Sequence, residues 1–83
     1  MASLKWSEDA LHDLGDIDAE IARRIVEKVK WLGENFSGVV PENLHHDLEG
    51  KYKLRVGDYR VVYTAHEDLI IVQAVGHRKD VYK

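Results

Sequence analysis

Three cations in an alternating strand pattern, Lys53, Arg55 and Arg60, are the residues of this chain best able to do chemistry. The run from Lys51 to Tyr63 places apolar and cationic residues in turn on both sides of Gly57-Asp58, as a half-buried β-hairpin does. A two-residue loop with glycine first suits a type II′ turn. It pairs Val56 with Tyr59, Arg55 with Arg60, Leu54 with Val61 and Lys53 with Val62. One face then holds Tyr52, Leu54, Val56, Tyr59, Val61 and Tyr63. The other holds Lys53, Arg55 and Arg60, with Val62 beside them. Like charges directly opposed on a sheet destabilise it. Arg55 facing Arg60 therefore marks a place where an anion belongs.

The elements that must hold this face follow from patterning. Leu4-Lys5-Trp6 reads as a short opening strand. Ser7 is an N-cap followed by Glu8 and Asp9, which suit the positive end of a helix. That first helix runs from about Glu8 to Leu14 and stops at Gly15. From Ala19 to Leu32, Ile21, Ala22, Ile25, Val26, Val29 and Leu32 form one apolar stripe, so a second helix is expected, capped by Asp18 or Asp16 and ended by Gly33. Residues 34 to 50 hold the single proline, Pro41, and read as a loop with at most a turn of helix. Three strands follow, at about Lys51–Val56, Tyr59–Thr64 and Leu69–Val75. With Ala65-His66-Glu67-Asp68 as the second turn, Thr64 pairs with Leu69 and Gln73 falls opposite Arg60. The last strand is apolar almost throughout, which suggests an interior place in the sheet. The expected fold is α+β: a short N-terminal strand, two helices, then an antiparallel sheet of three further strands, with the helices packed on one face.

The chain has 83 residues and is 45% hydrophobic, which fits one ordered domain over residues 1–83. It contains no cysteine, so disulfides and thiolate metal sites are excluded and a reducing cytoplasm suits it. No apolar run approaches the roughly 18 residues of a membrane span, and a soluble protein is expected. The net charge of −3 hides an asymmetry. Residues 1–50 carry 5 Lys/Arg against 11 Asp/Glu, whereas residues 51–83 carry 7 against 4. An anionic ligand should meet the C-terminal part.

The segments LEGKYKLRVGDYRVVY and IIVQAVGHRKDVYK resemble the C-terminal half of RelE-type toxins, in the RelE/ParE superfamily of type II toxin–antitoxin systems. Element order and length agree over essentially the whole chain, and the specific part runs from Leu48 to Lys83. The resemblance implies a RelE-like fold and a metal-independent endoribonuclease that cuts mRNA in the ribosomal A site, with no cofactor. It also implies a cognate RelB-like antitoxin, toxin–antitoxin hetero-oligomers, ribosome and mRNA as partners, and a cytoplasmic location away from membranes. The family's ribonuclease residues fall on Lys53 and Arg55, Arg60, Arg78 and Tyr82. Arg55 departs from the family, where lysine is familiar, and so does the acidic overall charge. The ParE branch inhibits DNA gyrase without cutting RNA. An inactive module acting as co-repressor with its antitoxin is a further alternative.

Cleaving RNA without metal requires removing the 2′-OH proton, stabilising charge on the phosphorane and protonating the 5′-oxygen. Arg60 is the candidate phosphate clamp, since a guanidinium grips phosphate bidentately; the bland alternative is a solvated strand arginine. Lys53 could be the general base if neighbouring guanidinium groups favour its neutral form; otherwise it is a surface lysine. Arg78 could donate to the leaving oxygen or hold its phosphate, or simply pair with Glu67 or Asp80. Tyr82 could stack on a base or pack on the sheet edge. Arg55, Gln73 and His77 complete the set as RNA-binding candidates. Glu49 is a weaker alternative base, and adjacent His45-His46 lack metal-pair spacing. Trp6 and Trp31 read as core. Val62 and Ile71 should sit exposed on the cationic face, as a docking patch would.

Overall fold

The computed structural model describes residues 3–36, 42–43 and 51–77. Within them the order is β1 (Ser3–Trp6), α1 (Glu8–Gly15), α2 (Ala19–Glu34), β2 (Glu42–Asn43), β3 (Lys51–Val56), β4 (Tyr59–His66) and β5 (Leu69–His77). One sheet runs in the order β1-β5-β4-β3-β2. β1 lies parallel to β5 and the remaining pairs are antiparallel. The expected α+β architecture is present, with β5 inside the sheet between β1 and β4. The two-residue strand β2 was not anticipated; it adds Glu42 and Asn43 opposite Lys53 and Tyr52.

Local chemistry explains the helices. Ser7 Oγ accepts the Ala10 N–H at 3.0 Å, which starts α1. Asp18 accepts the Glu20 N–H at 3.2 Å, which starts α2. α2 runs through Gly33 and ends at Asn35, whose side-chain amide and backbone N–H both donate to the Trp31 carbonyl at 2.9 Å. Gly33 is buried inside the last turn rather than terminating the helix.

The apolar stripe of α2 lies on the sheet. Ile25 and Val29 join Ala10, Val61, Val72 and Val75, with Leu4, Trp6, Ile21 and Tyr59 around them. Leu32 joins Tyr63 and Ile70, flanked by Phe36, Tyr52 and Leu54. Each such buried side chain contributes roughly 1.5–3 kcal/mol, so this face holds the fold together. Burial and the neighbouring Tyr52 raise the Tyr63 hydroxyl pKa above its ordinary value. Trp31 does not join the core. It is 42% exposed, and the Lys28 ammonium sits 4.1 Å from its ring centroid.

The β3–β4 register is the expected one at every position. Gly57 has φ of +59°, which suits the first position of a type II′ turn and which glycine adopts without steric cost. The β4–β5 register differs from expectation. His66 pairs with Leu69, so Ala65 and His66 extend the strand and only Glu67-Asp68 turns the chain. Glu67 takes φ of +55° there. Beyond that turn, Tyr63 pairs with Val72 but Val62 pairs with Ala74, leaving Gln73 as an extra residue in a β-bulge. Gly76, not Gln73, therefore stands opposite Arg60.

Candidate functional site

The face of the sheet turned away from the helices gathers the cations. Paired residues share a face, so the ladder places Lys51 with Thr64, Lys53 with Val62, and Arg55 with Arg60 on that side. From β5 it receives Ile71 opposite Thr64, Ala74 opposite Val62 and Gly76 opposite Arg60. β1 adds Lys5 beside Ile71. Arg55 is exposed, while Lys53 and Arg60 are half-buried. The Arg60 Nε is screened from solvent, so its guanidinium is held close to the sheet rather than waving in water.

Directly opposite residues on a strand pair hold their Cβ atoms about 4.5–5.5 Å apart. Lys53, Arg55 and Arg60 thus share one small area. Lys51 joins this line at the far end of β3. The same two-residue alternation that selected Lys53 also puts Lys51 in that line, so the signal was there. Lys5 had no comparable signal, because its place depends on pairing between the two ends of the chain.

Three expectations need correction. Gln73 is not opposite Arg60; it occupies the bulge, and its Nε2 donates to Thr64 Oγ1 at 3.2 Å. It stays on the cationic side but one row from the arginine pair. His77 pairs with Tyr59, their rings meeting edge-on with centroids 5.6 Å apart. Tyr59 packs against the core, so His77 belongs to the helix side and is separated from Arg60 by the sheet. Val62 is 6% exposed and Ile71 is half-buried, so no exposed apolar pair marks this face. Lys53 and Arg60 flank Val62 across and along the strands, and long basic side chains shield apolar surface with their stems. Arg78, Tyr82, Glu49, His45 and His46 lie outside the described residues.

A cavity of about 240 Å³ lies between α2 and the β3–β4 turn, lined by Ile21, Arg24, Val56, Gly57, Asp58 and Tyr59. Val56 and Tyr59 point to the helix side, so this hollow is separate from the arginine pair. Among the described residues, no three His, Asp or Glu side chains come together as a metal site would require, and no helix is long and apolar enough to cross a membrane.

The profile of the ParE toxin of type II toxin–antitoxin systems matches residues 4–82. This chain belongs to that toxin family. Solved structures of similar fold come from both branches of the wider RelE/ParE superfamily. A chain of the RelBE2 toxin–antitoxin complex of Mycobacterium tuberculosis superposes with a TM-score of 0.81 at 24% identity, over 93% of this chain and 98% of that one. The isolated RelE toxin of E. coli gives 0.75 at 22% identity, over 99% of this chain and 92% of that one. The chromosomal ParDE system of P. aeruginosa gives 0.71 at 22%, over 93% and 96%. No curated protein matches the sequence. The toxin thus has a fold shared by RelE and ParE proteins.

Proposed function

We propose that this toxin is a metal-independent endoribonuclease that cleaves mRNA in the ribosomal A site. The observation that carries the reading is the Arg55–Arg60 pair, directly opposed on the face turned away from the helices, with Lys53 in the next row. Such a pairing costs stability unless an anion lies between the guanidinium groups. A phosphodiester is an anion of suitable shape, because each guanidinium offers it two parallel N–H donors.

In this reading Arg60 holds the non-bridging oxygens of the scissile phosphate and stabilises the charge that develops there. Lys53 takes the 2′-OH proton, and Arg55 and Lys51 hold neighbouring phosphates. Arg78 serves the leaving oxygen and Tyr82 stacks on a base, both by resemblance to the family. The partner that silences the toxin is a cognate antitoxin, as the toxin–antitoxin complexes of similar fold support. Its acidic side chains would answer the basic C-terminal part of the chain.

A second reading has its own support, since the matching family profile is that of ParE. In that case the toxin binds DNA gyrase and cuts no RNA. A translation extract programmed with a defined mRNA separates the two. Primer extension should show codon-phased cuts that disappear in Arg60→Ala. Intact mRNA, together with cleaved DNA complexes in the presence of gyrase, would replace the nuclease by the ParE reading.

A further inference from the structure

We propose that Ser7 and Asp13 are positioning residues for the arginine pair: from α1 they fix the β5 bulge that sets Gly76, rather than Val75, opposite Arg60. The inference rests on the nuclease reading for its consequence, although the clamp itself does not.

The geometry begins at the edge of β5. β1 covers that edge only as far as Trp6, which pairs with Val72. Beyond this point α1 takes over. The Ser7 N–H donates to the Val72 carbonyl at 2.9 Å. Ser7 Oγ donates to the Gln73 carbonyl at 3.0 Å, and Asp13 Oδ2 accepts the Val75 N–H at 3.0 Å. Backbone groups on both sides of the extra residue are thus bonded from one short helix. A bulge leaves polar groups out of the ladder, and unpaired groups away from water cost stability. These three bonds favour the bulged register over a regular one.

The register decides what stands beside Arg60. Continuing the pairing of the first four β4–β5 rows without the bulge would bring Val75 opposite Arg60. A slip of one residue turns every following side chain to the other face. Val75, now 4% exposed in the core, would then stand on the cationic side and fill the space next to the guanidinium. With the bulge, that neighbour is Gly76, which has no side chain. On the β5 flank Arg60 thus meets no side chain from its cross-strand partner, while Arg55 supplies the opposite flank.

The test combines cleavage kinetics in the programmed translation extract with NMR of the full chain. In a Ser7→Ala/Asp13→Ala double variant we expect the cross-strand Arg60–Gly76 contact to be lost. The maximal cleavage rate should fall by about tenfold to a hundredfold, with half-saturation little changed. Ser7→Thr and Asp13→Asn retain the hydroxyl and an acceptor oxygen, and each should restore both register and rate. Gly76→Val probes the same space from the other side. Gly76 is not in the positive-φ region, so its backbone tolerates a β-branched residue, and the rate should drop while the NMR spectrum stays that of a folded chain. Persistence of the Arg60–Gly76 contact in the double variant overturns the clamp, whatever the activity. Loss of the contact without loss of rate overturns the positioning role. A wild-type chain that cuts no RNA refutes the nuclease instead, and leaves the NMR result alone to judge the clamp.

Discussion

The two faces of this one sheet follow opposite rules. Toward the helices, the cross-strand pairs are apolar or aromatic: Leu54 with Val61, Val61 with Val75, and Tyr63 with Val72. Every one of them gains from being covered. On the other side, Arg55 faces Arg60, and Lys51 and Lys53 continue the line. That side brings like charges together, which costs stability. The difference separates two expectations: a substitution on the helix side should change unfolding, and, if the proposed reading holds, one on the cationic side should change activity.

The largest expected effect belongs to the covered face. Ile25 is fully buried, and Ile25→Ala should cost about 2–5 kcal/mol in urea unfolding. A cost below 1 kcal/mol would mean that α2 does not seal the sheet as described. Next, Arg60→Ala should reduce mRNA cleavage by about a hundredfold to a thousandfold, with the cooperative fold retained. A collapse of the fold in this variant would erase the division between the faces.

The third expectation concerns pH. Folding keeps Tyr63 protonated to higher pH than in the unfolded chain, because its pKa is raised by burial and by Tyr52. Above the ordinary value of 10.0 the unfolded chain releases this proton first. Stability from this group is therefore complete below that pH and declines as pH rises through the raised native value. Tyr63→Phe should flatten the decline in thermal scans across that window; an identical slope would remove Tyr63 as its source. The smallest effect is on the open face. Arg55→Thr relieves the opposed charges and should add about 0.2–1 kcal/mol of stability while weakening RNA cleavage. Lower stability in this variant would show that the pair attracts rather than strains.

The hairpin carrying the arginines was readable because its information is local. Gly57 permits the turn, alternation assigns the faces, and the turn length fixes each partner. The β4–β5 pairing was less readable for the same reason. Ala65 and His66 resemble turn residues no less than strand residues, and a glutamate at φ of +55° leaves no mark in the sequence. The bulge at Gln73 depends on hydrogen bonds from α1, 66 positions earlier in the chain for Ser7, and no window along β5 contains that partner. This is why Gln73 was expected opposite Arg60, where Gly76 stands. Val62 was expected to be exposed because alternation reports the face of a strand but not what covers that face. Trp31 shows the converse: its type suggested the core, yet its place on α2 leaves it outside.

The parallel pairing of β1 with β5 has a bearing on synthesis. β1 leaves the ribosome well before its partner β5, since Ser3 is matched with Leu69 and Trp6 with Val72. Contacts between such distant segments form late and slowly. A growing polypeptide therefore carries its arginine hairpin before β5 is available to pair with β4 and β1.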